Sequence, residues 1–172
     1  SIVMELMDGG SLQDVLDGLK ALNHRIVSAV GFRSEDGRLD ESAHPFTLGL
    51  FPGDVRLTTH YYTNNLLGTL AGTLHEAGHG LYEQGLPVDW FGLPPGEATS
   101  LGIHESQSRL WENLVGRSPE FWEWCFPLAR KAFPESFNEV TSDQLAEFFD
   151  ATTTEVDWFA DSTAPDGYAI RI

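Results

Sequence analysis

The chain has 172 residues, enough for one domain with a real core, and 26 acidic against 10 basic side chains give a net charge of −16. That charge repels phosphate backbones and argues against nucleic-acid binding; no apolar run approaches the ~18 residues of a membrane span, and nothing reads as a secretory leader. Cys125 is the one cysteine, which excludes an internal disulfide and suggests a reducing, cytoplasmic setting.

Residues 1–12 resemble the hinge segment of protein kinases, but no glycine-rich loop, His-Arg-Asp or Asp-Phe-Gly is present, so kinase chemistry is excluded. The simpler expectation is Ser11 capping a helix through Asn23, with Leu12, Val15, Leu16 and Leu19 on its buried face. Residues 34–43 read as a polar loop turning at Asp36-Gly37. From 46 to 62 the pattern becomes β-type. Thr47, Leu48 and Leu50 precede a Pro52-Gly53 turn, and Val55, Leu57 and Thr59 alternate with Asp54, Arg56 and Thr58. Arg56 either faces a substrate or pairs with an acid such as Asp54. His44 and His60 read as surface groups, or as groups behind a site, rather than as ligands.

Chemistry concentrates in His75-Glu76-Ala77-Gly78-His79, an HExxH pattern. Two histidines four apart on a helix leave one face about a turn apart, so their rings can converge on one ion. Glu76 is then placed to act on a water at that ion. With six His and fourteen Glu, composition gives only about 0.02 accidental matches, so chance is a poor explanation. The helix is supported by Leu66, Leu67, Leu70, Ala71, Leu74, Leu81 and Tyr82 at helical spacing, by Thr63 or Asn64 as cap, and by Gly85 and Pro87 as stop. Gly72, Gly78 and Gly80 weaken it by roughly 1 kcal/mol each against alanine, which fits close approach of another backbone or a ligand, or close packing alone.

Catalytic zinc usually has three protein ligands and one open position. A second helix is expected from Ile103, Gln107, Leu110, Trp111, Leu114 and Val115, closed by Gly116, and it carries Glu105. From spacing alone, Glu105 is either the third ligand or a solvated partner of Arg109 at i+4. In the Pro- and Gly-rich stretch 86–100, Trp90, Phe91 and Leu93 are expected to cover the core or to shape a pocket lip, core cover being the safer reading. Ser118 caps a further helix with Pro119 at its first position, and Phe121, Trp122, Trp124, Cys125, Leu128 and Phe133 make it a core element. Thr141 and Gln144 fit a capping box ahead of Leu145, Phe148 and Phe149, and residues 157–172 read as a loose tail.

Four segments resemble, in order, the thermostable carboxypeptidases of the carboxypeptidase Taq type. They are His44-Pro45-Phe46, Asp54-Val55-Arg56-Leu57-Thr58, His75-Glu76-Ala77-Gly78-His79 and His104-Glu105-Ser106-Gln107. The likeness runs over about residues 31–156, leaving 1–30 as an N-terminal segment of uncertain origin. It implies a mainly α, zincin-like metallopeptidase core with a small β-hairpin or sheet beside the HExxH helix. It further implies His75, His79 and Glu105 as metal ligands, Glu76 as general base, and zinc, cobalt or another divalent metal as cofactor. His44, Asp54, Arg56, Thr58 and His104 lie on the matching segments and are carried as candidate substrate contacts.

Members of that family are longer, and two downstream motifs are missing: an Ile-Arg segment followed by Ala-Asp, and a Gln-Asp-x-His-Trp segment. Arg171 reads as coincidence rather than as a remnant of the first. The expectation is therefore a carboxypeptidase acting on peptides, of a type commonly dimeric, with no nucleic-acid or membrane partner. Its rivals are a catalytically silent metal- or peptide-binding fragment and a helical domain without metal. Scarce lysine (Lys20 and Lys131) beside many acids also suits a salt-rich cytoplasm; refolding that gains nothing from molar salt would count against this.

Overall fold

The computed structural model describes residues 11–137 and 140–145. Their element order is α1 (Leu12–Ala29), β1 (Gly37–Glu41), β2 (Phe46–Phe51), β3 (Asp54–Thr59), α2 (Leu66–Gly85), α3 (Leu101–Arg109) and α4 (Pro119–Ala132). The expected architecture is present: a mainly helical chain with a small sheet beside the HExxH helix. The kinase-like residues 1–10, Phe148, Phe149 and the tail from 157 lie outside the described residues.

Helix α1 starts as expected, with a capping box in which Ser11 and Asp14 exchange hydrogen bonds. It runs past Asn23 to Ala29 because Ile26 and Val27 continue the buried stripe of Val15, Leu19 and Leu22. Leu12 is exposed rather than buried, one turn too early to reach the core.

Helix α2 is the centre of the molecule. Its cap is Asn65, which accepts from Gly68 N, rather than Thr63 or Asn64. One face meets α1 and α4, where Leu66, Leu70 and Leu74 pack with Leu19, Ile26, Phe121, Trp122 and Cys125. Further along, Ala77 and Leu81 pack on Val55, Leu57, Leu39 and Phe32 beneath the sheet.

The sheet order is β1-β3-β2, with β2 antiparallel and β1 parallel to β3. The hairpin forms around Pro52-Gly53 as the pattern predicts. Strand β1 replaces the expected loop at 37–41, since its pairing with β3 is long-range and its charged alternation shows only Leu39 as buried. Trp90, Phe91 and Leu93 are exposed, so they do not cover this core; Phe91 meets Phe51 edge-on instead. Trp124 is also exposed, on the outer side of α4. At residues 141–144 both halves of the capping box are made: Thr141 N donates to Gln144 Oε1, and Gln144 N to Thr141 Oγ1.

The glycines of α2 divide by neighbour. A Cβ on Gly78 would lie 2.6 Å from the Gln107 carbonyl oxygen and 2.6 Å from Ser108 Cα, so this glycine lets the α3 backbone touch α2. At Gly80 the close neighbours are side chains, Leu57 and Phe32, whereas Gly72 has ordinary room.

Candidate metal centre

His75, His79 and Glu83 fall at successive turns of α2 and share a face. Helix α3 lies across that face because Gly78 admits it, and this brings Glu105 to the two rings. Glu105 Oε2 stands 3.3 Å from His79 Nε2 and 3.7 Å from His75 Nε2. The three donor atoms all lie within 4.8 Å of one another, the only such His/Cys/Asp/Glu group among the described residues. The pair with Arg109 is made as well, by the other oxygen of Glu105: Oε1 accepts from Arg109 Nε at 2.9 Å.

Behind the rings, both Nδ1 atoms are engaged. His75 Nδ1 is 2.8 Å from Glu112 Oε2, and His79 Nδ1 is 2.6 Å from His104 Nδ1. Glu112 is only 4% exposed and comes from a π-helical stretch, Leu110–Val115, that follows α3 directly. Such wide turns re-aim a side chain that regular helix would carry elsewhere, and they recur at functional sites. Arg109 reaches both carboxylates, with Nη1 3.3 Å from Glu112 Oε2. Sequence reasoning assigned no role to Glu112 or Glu83. The available signal was the i, i+4, i+7 series Glu105, Arg109, Glu112, one charged stripe along a helix otherwise read for its apolar side.

Glu76 is buried, 7% exposed, and turned toward β2, where Thr47 Oγ1 donates to its Oε2 at 2.5 Å. Burial raises its pKa, and the Thr47 hydrogen bond opposes that rise. His79 is pushed down to about 4, first by burial and then by the neighbouring His75 and His104. A ring with that pKa is neutral at pH 7, so the short approach of Glu105 to it is no ordinary ion pair. Two imidazoles and a carboxylate converging at this range are a candidate donor set for a divalent cation.

Comparison with known proteins agrees. The family model of the carboxypeptidase Taq (M32) metallopeptidases matches residues 12–156. The chain belongs to that family. It is 59% identical over 108 residues to thermostable carboxypeptidase 1 of Thermus thermophilus, covering 63% of this chain and 21% of that one. With carboxypeptidase 1 of Bacillus subtilis it shares 38% over 126 residues, or 73% of this chain and 25% of that one. The M32 carboxypeptidase of Deinococcus radiodurans superposes with a TM-score of 0.73 at 44% identity, over 76% of this chain and 26% of that one. The chain thus spans a fifth to a quarter of the curated relatives it matches.

The metal that an M32 metallopeptidase needs fits these residues. Donors held at roughly 2.0–2.1 Å around a tetrahedral zinc lie about 3.3 Å from one another. The Glu105-to-histidine separations, 3.3 and 3.7 Å, are already near that figure.

The remaining motif residues of the M32 pattern are placed differently. His104 sits within the centre, between His79 and Glu83, with Nε2 2.6 Å from Glu83 Oε1. Asp54, Arg56 and Thr58 project from β3 opposite Val55 and Leu57, on the sheet face turned away from α2. Of the two roles open to Arg56, the structure shows the pair with Asp54, two hydrogen bonds at 2.9 Å on an exposed surface. Thr58 donates toward the carbonyl oxygens of His44 and Phe46, at 3.2 and 3.3 Å. The His44 side chain is exposed, and His60 Nδ1 lies 3.2 Å from the Ser42 carbonyl oxygen.

Proposed function

We propose that this chain carries the metal and proton-transfer centre of a cytoplasmic carboxypeptidase that removes C-terminal residues from peptides. His75, His79 and Glu105 hold the divalent cation, zinc by the chemistry of the donors, with cobalt or another divalent ion as substitute. The observation that carries this is the convergence of His75, His79 and Glu105, one ligand atom from each within 4.8 Å of the others, on elements brought together at Gly78.

A cation held there supplies a Lewis acid that lowers the pKa of water toward about 7 and polarises a carbonyl. Glu76 takes the proton of that water and returns it to the departing amine. Thr47 holds the carboxylate from the sheet side, and burial keeps its proton affinity high enough for both transfers. Strand β2 is paired on one side only among the described residues, so its outer edge offers backbone groups to an extended peptide. His44, Asp54, Arg56, Thr58 and His104 remain substrate contacts in the family-based reading. The β3 trio serves in that way only if substrate reaches the far face of the sheet.

A second reading, a metal- or peptide-binding piece without turnover, is favoured by the share of the relatives' length that this chain spans. Elemental analysis together with C-terminal release from a blocked dipeptide separates the two. One metal per chain with turnover abolished in Glu76→Gln supports the enzyme; bound metal without turnover in either protein supports the silent piece. A homodimer belongs to the first reading, and a single-chain mass by sedimentation removes it.

A further inference from the structure

We propose that His104 and Glu83 are positioning residues that lock His79 in the tautomer whose Nε2 lone pair faces the ion. They do through one intervening ring what Glu112 does directly for His75. The proposal rests on the metal-site reading above but is fixed from the opposite end of the chain of hydrogen bonds.

A carboxylate only accepts. Glu83 Oε1, 2.6 Å from His104 Nε2, therefore requires the hydrogen of His104 on Nε2. With its single hydrogen there, His104 offers Nδ1 as an acceptor, and its partner at 2.6 Å, His79 Nδ1, is the donor. With its hydrogen on Nδ1, His79 presents a bare Nε2 toward Glu105. In that arrangement the series His79, His104, Glu83 leaves His79 in the ligating tautomer.

The supports are themselves held. Tyr82 meets the His104 ring edge-on with centroids 5.1 Å apart, and its hydroxyl accepts from Thr99 N. The Glu83 carboxylate lies over Gly49 of β2, where a Cβ would collide with it. Gly49 therefore gives a way to displace Glu83 without touching a ring, because the end of a flexible side chain can yield. Histidines that ligate metals generally depend on such partners, and losing one weakens binding about 10- to 100-fold.

The test uses zinc alone, titrated against a chromophoric chelator, and nitrogen-15 NMR of the histidine rings in the metal-free chain. In the unaltered chain His79 should show its hydrogen on Nδ1. His104→Leu should bind zinc about 10- to 100-fold more weakly, with the Nε2–H tautomer of His79 appearing. His104→Gln, whose amide both accepts and donates, should recover most of that loss. Unchanged affinity in His104→Leu, or equal losses in Leu and Gln, overturns the proposal. Should His104→Leu not fold, Gly49→Ala decides: a smaller loss in the same direction supports the relay, and none overturns it. If the unaltered chain binds no zinc, the metal reading fails, while the metal-free tautomer of His79 still decides the relay.

Discussion

Two faces of α2 make different demands on the sequence. Toward α1 and α4 it presents Leu66, Leu70 and Leu74, whose burial is non-directional and needs only apolar neighbours of suitable volume. Toward β2 and α3 it presents His75, Glu76, His79 and Glu83, and each has a specific partner: Glu112, Thr47, His104 and again His104. Buried polar groups without partners would cost about 1–3 kcal/mol apiece, so the second face is viable only because α3 and the sheet arrive in register. The first face stabilises the fold, and the second uses that stability to hold imidazoles and a buried carboxylate together.

If the faces are separable, changes to each should move different observables. The largest effect is expected on the polar face: if the proposed function holds, Glu76→Gln, which keeps an acceptor for Thr47, should lower peptide hydrolysis by about 10²- to 10⁴-fold at constant metal content. On the other face, Leu70→Ala should lower unfolding free energy by about 2–5 kcal/mol in denaturant titration, with metal stoichiometry unchanged. Metal loss in that variant at folded concentrations would break the distinction.

Gly78→Ala tests the contact joining the two faces to α3. Its methyl group meets backbone rather than a yielding side chain, so about 1–3 kcal/mol of strain should appear together with weakened metal binding. The exposed Asp54–Arg56 pair, on neither face, sets the floor: Arg56→Ala should change stability by less than about 1 kcal/mol.

The pH dependence of the metal-free chain sharpens the same contrast. His79 falls from its ordinary 6.5 to about 4 in the folded chain, so the unfolded state binds protons first as pH drops, and stability is lost between those values. Glu76 runs the other way. Its raised pKa means that the folded state keeps the proton longer, and stability is lost as pH rises from 4.5 through the raised value. Metal-free Glu76→Gln should therefore have a higher Tm than the unaltered chain at neutral pH, and the gap should close below pH 4.5.

Legibility followed the same division. Helical spacing showed α2, and period-two alternation showed β3, because local patterns encode burial on one face. HExxH was legible because helix geometry fixes its spacing, and the resemblance pointed to Glu105, which the fold brings to both rings. Glu112 and Glu83 were not legible, since a carboxylate behind a histidine is defined by tertiary approach and reads in sequence as surface charge. Strand β1 was missed for a related reason: its partner is the far strand of the hairpin, and its outward residues are those of a loop. Trp90, Phe91 and Leu93 misled in the opposite sense, as apolar residues that the described fold leaves exposed.

In the proposed function two α2 histidines and one α3 glutamate grip a single cation. Elemental analysis of the purified chain beside its Glu105→Ala variant, both checked for folding by circular dichroism, addresses it most directly. The account predicts one divalent ion per unaltered chain and little or none in the variant. Equal metal content in the two proteins, or none in the unaltered chain after zinc loading, would contradict it.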